Sequence, residues 1–177
     1  MIEKINRNDA VVILSKKQLV NLDNKKRESY ILDWWGIDKE DEEFFFLSST
    51  LQKELLNSDE IPKDIENSKY DELIILALKA EYKGVTNSYL TKSLNSLGMG
   101  EYEVFGEIEQ MEICPCCEYK TLDSKAQYDI CPLCFWEDDG TKELDKYSHA
   151  NHTTLAKAKD VFSKNSKELA LDKWLGR

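Results

Sequence analysis

The stretch Cys114-Pro115-Cys116-Cys117-Glu118, with thirteen residues between Cys117 and the following Cys131-Pro132-Leu133-Cys134, decides how the C-terminal part of the chain folds. Four of the five cysteines form two C-x-x-C pairs. Such a turn is just long enough for two sulfurs to reach one ion, and two turns supply the four thiolates that zinc takes in a tetrahedron. The spacing is that of a zinc ribbon. It points to Cys114, Cys117, Cys131 and Cys134 as ligands of a structural Zn2+ ion, with a rubredoxin-like iron site as the competitor, because the same four sulfurs hold either metal. A site with four cysteine ligands keeps no position open for water, so the ion is expected to stabilise the fold rather than to catalyse. Cys116 is then surplus. It is read as a buried passenger; exchange with Cys114 or Cys117, or a role as a reactive thiol, are the alternatives, the latter lacking an identifiable partner base.

Between the two turns, Tyr119-Lys120-Thr121-Leu122 and Ala126-Gln127-Tyr128-Asp129-Ile130 predict a short hairpin that brings the knuckles together. His149 and His152 share the spacing of a metal pair, but no carboxylate or thiol at ligand distance in sequence joins them. Asn151 and Thr153 are instead expected to cap the last helix. Phe135-Trp136-Glu137-Asp138-Asp139-Gly140 reads as an acidic turn behind an aromatic anchor.

Upstream of the cysteines the period is helical. Asp9 to Leu22 predicts a helix with Asp9 at its N-cap. Asp23 is the expected cap of a second helix that carries Tyr30, Ile31, Trp34 and Trp35 and ends at Gly36. A third is expected over 39–57, with an acidic first turn. A fourth carries Tyr70, Leu73, Ile74, Ala77 and Leu78, and a fifth runs from Thr86 to Leu97. The fifth offers Lys92 as its single basic residue, which argues against reading DNA. Glu101 to Glu109 alternates as a strand does, and a last helix over Thr153 to Trp174 is expected to bury Leu155, Ala158, Val161, Phe162, Leu169 and Trp174. The expected class is α+β, mainly α: a helical domain over 1–100, then a zinc-ribbon-like β module with a C-terminal helix over 101–177.

The formal charge is -10. Residues 36–72 hold twelve acids against four lysines, whereas 149–177 hold six basic residues against three acids. An acidic surface repels phosphate backbones, so nucleic acid is an unlikely partner. No apolar run approaches the ~20 residues of a membrane span, and the first residues lack the pattern of a signal peptide, which predicts a cytoplasmic protein whose cysteines stay reduced.

Cys114-Pro115-Cys116-Cys117, the run Tyr128 to Gly140, and Asn151-His152-Thr153-Thr154-Leu155-Ala156-Lys157-Ala158 together resemble the bacterial CPCC family of cysteine-rich proteins over about 112–165. Asp33 to Ile37 and Leu76 to Asn87 are similar to the region that precedes this module in some members. One position departs: the family usually has glycine where this chain has Glu118, a site at which glycine tolerates a positive φ. The resemblance implies a small zinc-ribbon-like module, a bacterial cytoplasmic setting, and kinship with accessory proteins found beside polymorphic toxins.

With the acidic face and no catalytic constellation, this implies a non-enzymatic immunity protein that neutralises a basic toxin, such as a nuclease. The acids Asp38, Glu40, Asp41, Glu42, Glu43, Asp59, Glu60, Asp64, Glu66, Asp71 and Glu72 would form its partner surface. The alternative is a zinc-ribbon adaptor or regulator that contacts transcription or translation machinery. A Cys116-dependent enzyme is the third reading.

Overall fold

The computed structural model describes residues 2–176. It is mainly helical with three two-stranded sheets, the α+β class expected. Contacts gather into two compact units: Ile5–Lys83, and the chain from Gly84 onward together with Glu3 and Lys4. No helix among the described residues is long and apolar enough to cross a membrane.

The first unit is all helix. Helix α1 (Arg7–Val20) starts two residues before the expected cap: Asn6, not Asp9, is the N-cap, its side chain accepting from the N–H of Asn8. Both residue types can cap, and Arg7 decides between them. Arg7 is buried, and its guanidinium donates to the Tyr82 carbonyl at 2.9 Å beyond the end of α4, so this turn must already be helical to place it. Helix α2 (Asn24–Trp34) is capped by Asp23, whose carboxylate accepts from the Lys26 N–H at 2.8 Å, as expected.

The expected third helix is two pieces. A 3-10 turn (Glu42–Phe46) and helix α3 (Ser49–Asn57) are separated at Leu47 and Ser48, both in extended backbone. Ser48-Ser49-Thr50 offers the chain a fresh start that competes with continuation. Other elements satisfy the freed groups: Ser48 N–H donates to the Glu72 carboxylate at 2.7 Å, and the Gln52 amide donates to the Phe44 and Leu47 carbonyls. The break keeps Phe44 buried while Phe45 and Phe46 face solvent.

Helix α4 (Asp71–Ala80) is the centre of this unit and packs against α1 and α2, with Leu73, Ile74 and Leu78 fully buried. Trp35 anchors the core edge-to-face on Tyr70 at 5.9 Å and donates its indole N–H to the Ser58 carbonyl; its neighbour Trp34 is only partly buried. Arg27 and Asp71 form a 2.7 Å ion pair between α2 and α4.

In the second unit, α5 (Asn87–Asn95) is capped by Thr86, and strand β1 (Glu3–Asn6), whose first two residues belong to this unit, pairs with β2 (Tyr102–Phe105). The alternating run expected as a strand to Glu109 stops at Gly106, whose φ is 129°. Although α5 reads in sequence as one more helix of the N-terminal set, its contacts are with the cysteine module's side of the chain. The Thr86 N–H donates to the Lys173 carbonyl at 2.9 Å, its hydroxyl to the Asp172 carbonyl, and Val85 bridges Trp174. Gly84 opens the unit at a φ of 74° with Met111 against it; an added Cβ would collide with Met111 Cγ.

Strand β3 (Glu112–Ile113) pairs antiparallel with β4 (Lys120–Leu122) around the first knuckle, and Ile130 bridges Glu137 around the second. Each knuckle closes its own hairpin, which replaces the single hairpin expected between them. The reason is local: a C-x-x-C turn already reverses the chain, so the nearest pairing partners are the residues flanking each turn. Strands β5 (Tyr147–Ser148) and β6 (Thr153–Thr154) form the third pair and lead into α6 (Leu155–Asn165). The last helix thus ends at Asn165, not Trp174, and 3-10 turns follow at Ser166–Glu168 and Leu171–Lys173. Of its expected buried side, Leu155 and Trp174 are buried, but Val161 is 56% exposed.

Candidate metal centre

The two knuckles are built the same way. In the first, Cys114 N–H donates to the Tyr119 carbonyl at 2.9 Å and Glu118 N–H to the Cys114 carbonyl at 3.0 Å. In the second, Cys131 N–H donates to the Trp136 carbonyl and Phe135 N–H to the Cys131 carbonyl, both at 2.9 Å. Closing the turn this way puts the residue after the second cysteine at positive φ: 66° for Glu118 and 61° for Phe135. The glycine-like position is therefore occupied here by a strained Glu118, held by a 2.7 Å ion pair to Lys159 on α6.

These turns bring Cys114, Cys117, Cys131 and Cys134 together, all four sulfurs lying within 4.8 Å of one another. Cys114 Sγ is 3.6 Å from Cys134 Sγ, and Cys117 Sγ is 3.7 Å from Cys131 Sγ. A tetrahedral ion with metal–sulfur bonds of ~2.3 Å separates its sulfurs by about 3.8 Å, so the donor set fits a single ion. The cysteines are free, and three of the four candidate ligands are buried. Burial raises the cost of several thiolates unless a cation offsets it. Cys131 is driven toward thiolate by S–H donation from Cys114, Cys117 and Cys134, while Cys117 is pushed up by Cys114, Cys131 and Cys134 and by burial. A metal ion bound here would take the place of the thiol protons.

Two further groups complete the surroundings. Thr121 is buried with Oγ1 3.0 Å from Cys131 Sγ, a partner that the alternation of β4 signals only once the knuckle is placed. Asn151 does not cap α6; Thr154 does, accepting from the Lys157 N–H. Asn151 instead accepts from the Glu137 N–H and donates to the Glu137 carbonyl, both at 2.8 Å, and so pins the segment behind the second knuckle as a strand would. Its amide pattern matches a backbone, which is why sequence alone cannot separate this role from capping.

The acidic turn is structural. Asp138 is buried and accepts from the Ala126 N–H at 2.8 Å; Asp139 accepts from the Ser148 hydroxyl at 2.7 Å and from the Thr141 N–H. Burial pushes the Asp139 carboxyl up, but donation from Ser148 and Thr141 outweighs it and holds the group below its ordinary value. His149 stacks edge-on to Tyr147, and both histidines are exposed. Among the described residues the four cysteines are the one group of three or more metal-binding side chains drawn together. Cys116 is buried at their edge.

The acids named for partner binding all lie in the helical unit, and all but Asp71 are exposed. They divide in two. Asp38, Asp41, Asp64, Glu66, Asp71 and Glu72 accept hydrogen bonds from neighbouring backbone or side chains. Glu40, Glu42, Glu43, Asp59 and Glu60 have no ion pair or side-chain hydrogen bond among the described residues, and Phe45 and Phe46, which follow the first three in the chain, are 64% and 73% exposed.

Residues 112–166, just under a third of the chain, match the family described as Cysteine-rich CPCC. The match takes in both knuckles, the acidic turn, Asn151 and α6. Neither the curated proteins nor the solved structures give a match.

Proposed function

We propose that this protein is a cytoplasmic, non-enzymatic binding protein, an immunity protein that neutralises a basic toxin such as a nuclease, with a structural zinc ion in its cysteine module. The observation that supports the reading is the set of exposed, unengaged acids Glu40, Glu42 and Glu43, which immediately precede the solvent-facing Phe45 and Phe46 in the chain, with Asp59 and Glu60 also unengaged in the same unit. Folding gives these carboxylates no partner, so their mutual repulsion is uncompensated within the unit. A cationic partner offsets that repulsion and is steered by it, while the two rings supply the desolvated contact that such interfaces concentrate their energy in. Inhibition follows by covering the toxin's active site. Zinc is preferred to iron for the centre because the two C-x-x-C turns have the spacing of a zinc ribbon.

The test is co-expression of the chain with the secreted protein encoded beside its gene. The wild type should protect the host, and the Glu40→Lys, Glu42→Lys, Glu43→Lys variant should lose protection while keeping its metal content and helical spectrum. Undiminished protection by that folded variant overturns the proposal.

A further inference from the structure

Two of the five cysteines share one opening to the outside. A groove of about 560 Å³ is lined by Cys116 and Cys134 from the knuckles and by Ala158, Val161 and Phe162 from α6. Cys114, Cys117 and Cys131 are not among its walls, and all three are buried. Cys134 is the one candidate ligand that keeps partial exposure. A small oxidant that enters the groove therefore meets Cys134 before any other ligand.

Cys116 is the fifth thiol beside a set that four complete. It is 4% exposed, so it is shielded from the oxidant itself but not from a neighbouring sulfur. The side chain of Cys134 interacts with those of Cys114, Cys116, Cys117 and Cys131, which places the surplus thiol against the most accessible ligand. Of these four neighbours, three are occupied when an ion is bound. Cys116 alone keeps a free sulfur.

We propose that Cys116 and Cys134 form a peroxide-sensitive switch that opens the metal centre, an inference that rests on reading the four cysteines as zinc ligands. The Cys134 thiolate attacks one oxygen of the peroxide, the O–O bond breaks, and the hydroxide that leaves takes a proton from solvent, so that Cys134 becomes a sulfenic acid. The Cys116 sulfur then attacks the Cys134 sulfur, the S–O bond breaks, and the departing hydroxide takes the Cys116 thiol proton. Two sulfurs lose two electrons and become one disulfide; one peroxide is reduced to two waters. A disulfide sulfur has lost the thiolate charge that makes it a ligand, so three thiolates remain for the ion. Because such modules fold on their metal, its loss loosens both knuckles. A thiol reductant reverses the change by exchange at the same disulfide.

The experiment treats the full-length protein, purified with its metal, with hydrogen peroxide in the presence of a metal-sensing dye, and maps its disulfides by mass spectrometry after alkylation and digestion. The expected result is metal release that keeps pace with a Cys116–Cys134 disulfide, with recovery of metal binding after a thiol reductant and zinc are added. Cys116→Ser and Cys116→Ala, each first shown to carry metal as the wild type does, should lose the disulfide. Without a resolving thiol their Cys134 goes on to sulfinic acid, and metal binding should no longer recover on reduction. A centre that resists peroxide, a disulfide confined to one knuckle, a Cys116 that stays open to alkylation while metal leaves, or full recovery in both variants overturns the proposal. Absence of metal from the purified protein overturns the zinc reading together with it, which tells the two failures apart.

Discussion

The helical unit and the cysteine module solve the same problem with different means. The helical unit buries a continuous set of large apolar side chains around Leu73, Ile74, Leu78, Tyr70 and Phe44. The module around the knuckles has short strands of two or three residues and a centre made of thiols. Where apolar area is scarce, stability must come from strong, directional interactions: the Asn151 clamp, the carboxylate-anchored turn and the metal–sulfur bonds that the four cysteines could make to an ion. The lesson is that surface chemistry and fold chemistry are segregated along this chain. Five exposed acids of the helical unit, Glu40, Glu42, Glu43, Asp59 and Glu60, are unengaged among the described residues, whereas Asp138 and Asp139 in the module are consumed by folding.

Metal removal should separate the two most sharply. Chelation, or Cys131→Ser, is expected to collapse the module, because binding free energy of order 10 kcal/mol is folding free energy in such sites. Hydrogen exchange should show protection lost around residues 112–140 and kept in α4. Equal loss in both regions, or none, would break the comparison. The converse variant is Leu73→Ala. With Leu73 fully buried, it should cost about 2–5 kcal/mol of helical-unit stability in denaturant unfolding and leave one metal ion bound per chain.

Asn151→Ala comes next in size. It leaves the Glu137 N–H and carbonyl without their partner and should destabilise the module by about 1–3 kcal/mol, measured as easier loss of metal to a competing chelator. Acid should act on the helical unit through Glu54. Burial pushes its carboxyl up, but the Lys69 ammonium at 2.9 Å and the Tyr70 hydroxyl at 2.7 Å more than offset this and lower it from 4.5. A depressed folded value means a contribution that is full above the unfolded pKa, near 4.5, and lost as pH falls through the folded one. Thermal unfolding of the helical unit should therefore weaken below about pH 4.5, and less so in Glu54→Gln. The smallest effect is expected from Glu118→Gly. Relief of the positive φ favours glycine by about 1 kcal/mol, set against lost chain stiffness and the Lys159 pair, so the net change in melting should be slight and on the stabilising side.

Much of this was legible in the chain itself, for reasons of period and spacing. Two C-x-x-C turns draw four sulfurs together because the turn geometry is local and each knuckle closes on itself within six residues. Asp23 caps its helix because a short acceptor side chain satisfies orphan N–H groups wherever a helix begins. Other features needed the tertiary structure. Asn6 displaces Asp9 because a buried Arg7 reaches a carbonyl 75 residues away, and helix 39–57 breaks because Glu72 is there to accept from Ser48. Asn151 clamps Glu137 rather than capping, because only in three dimensions does it face a strand edge of its own kind. The uncovered face of α6 belongs with these: amphipathic period encodes a wish for burial, but whether the chain itself supplies the cover depends on which long-range neighbours arrive.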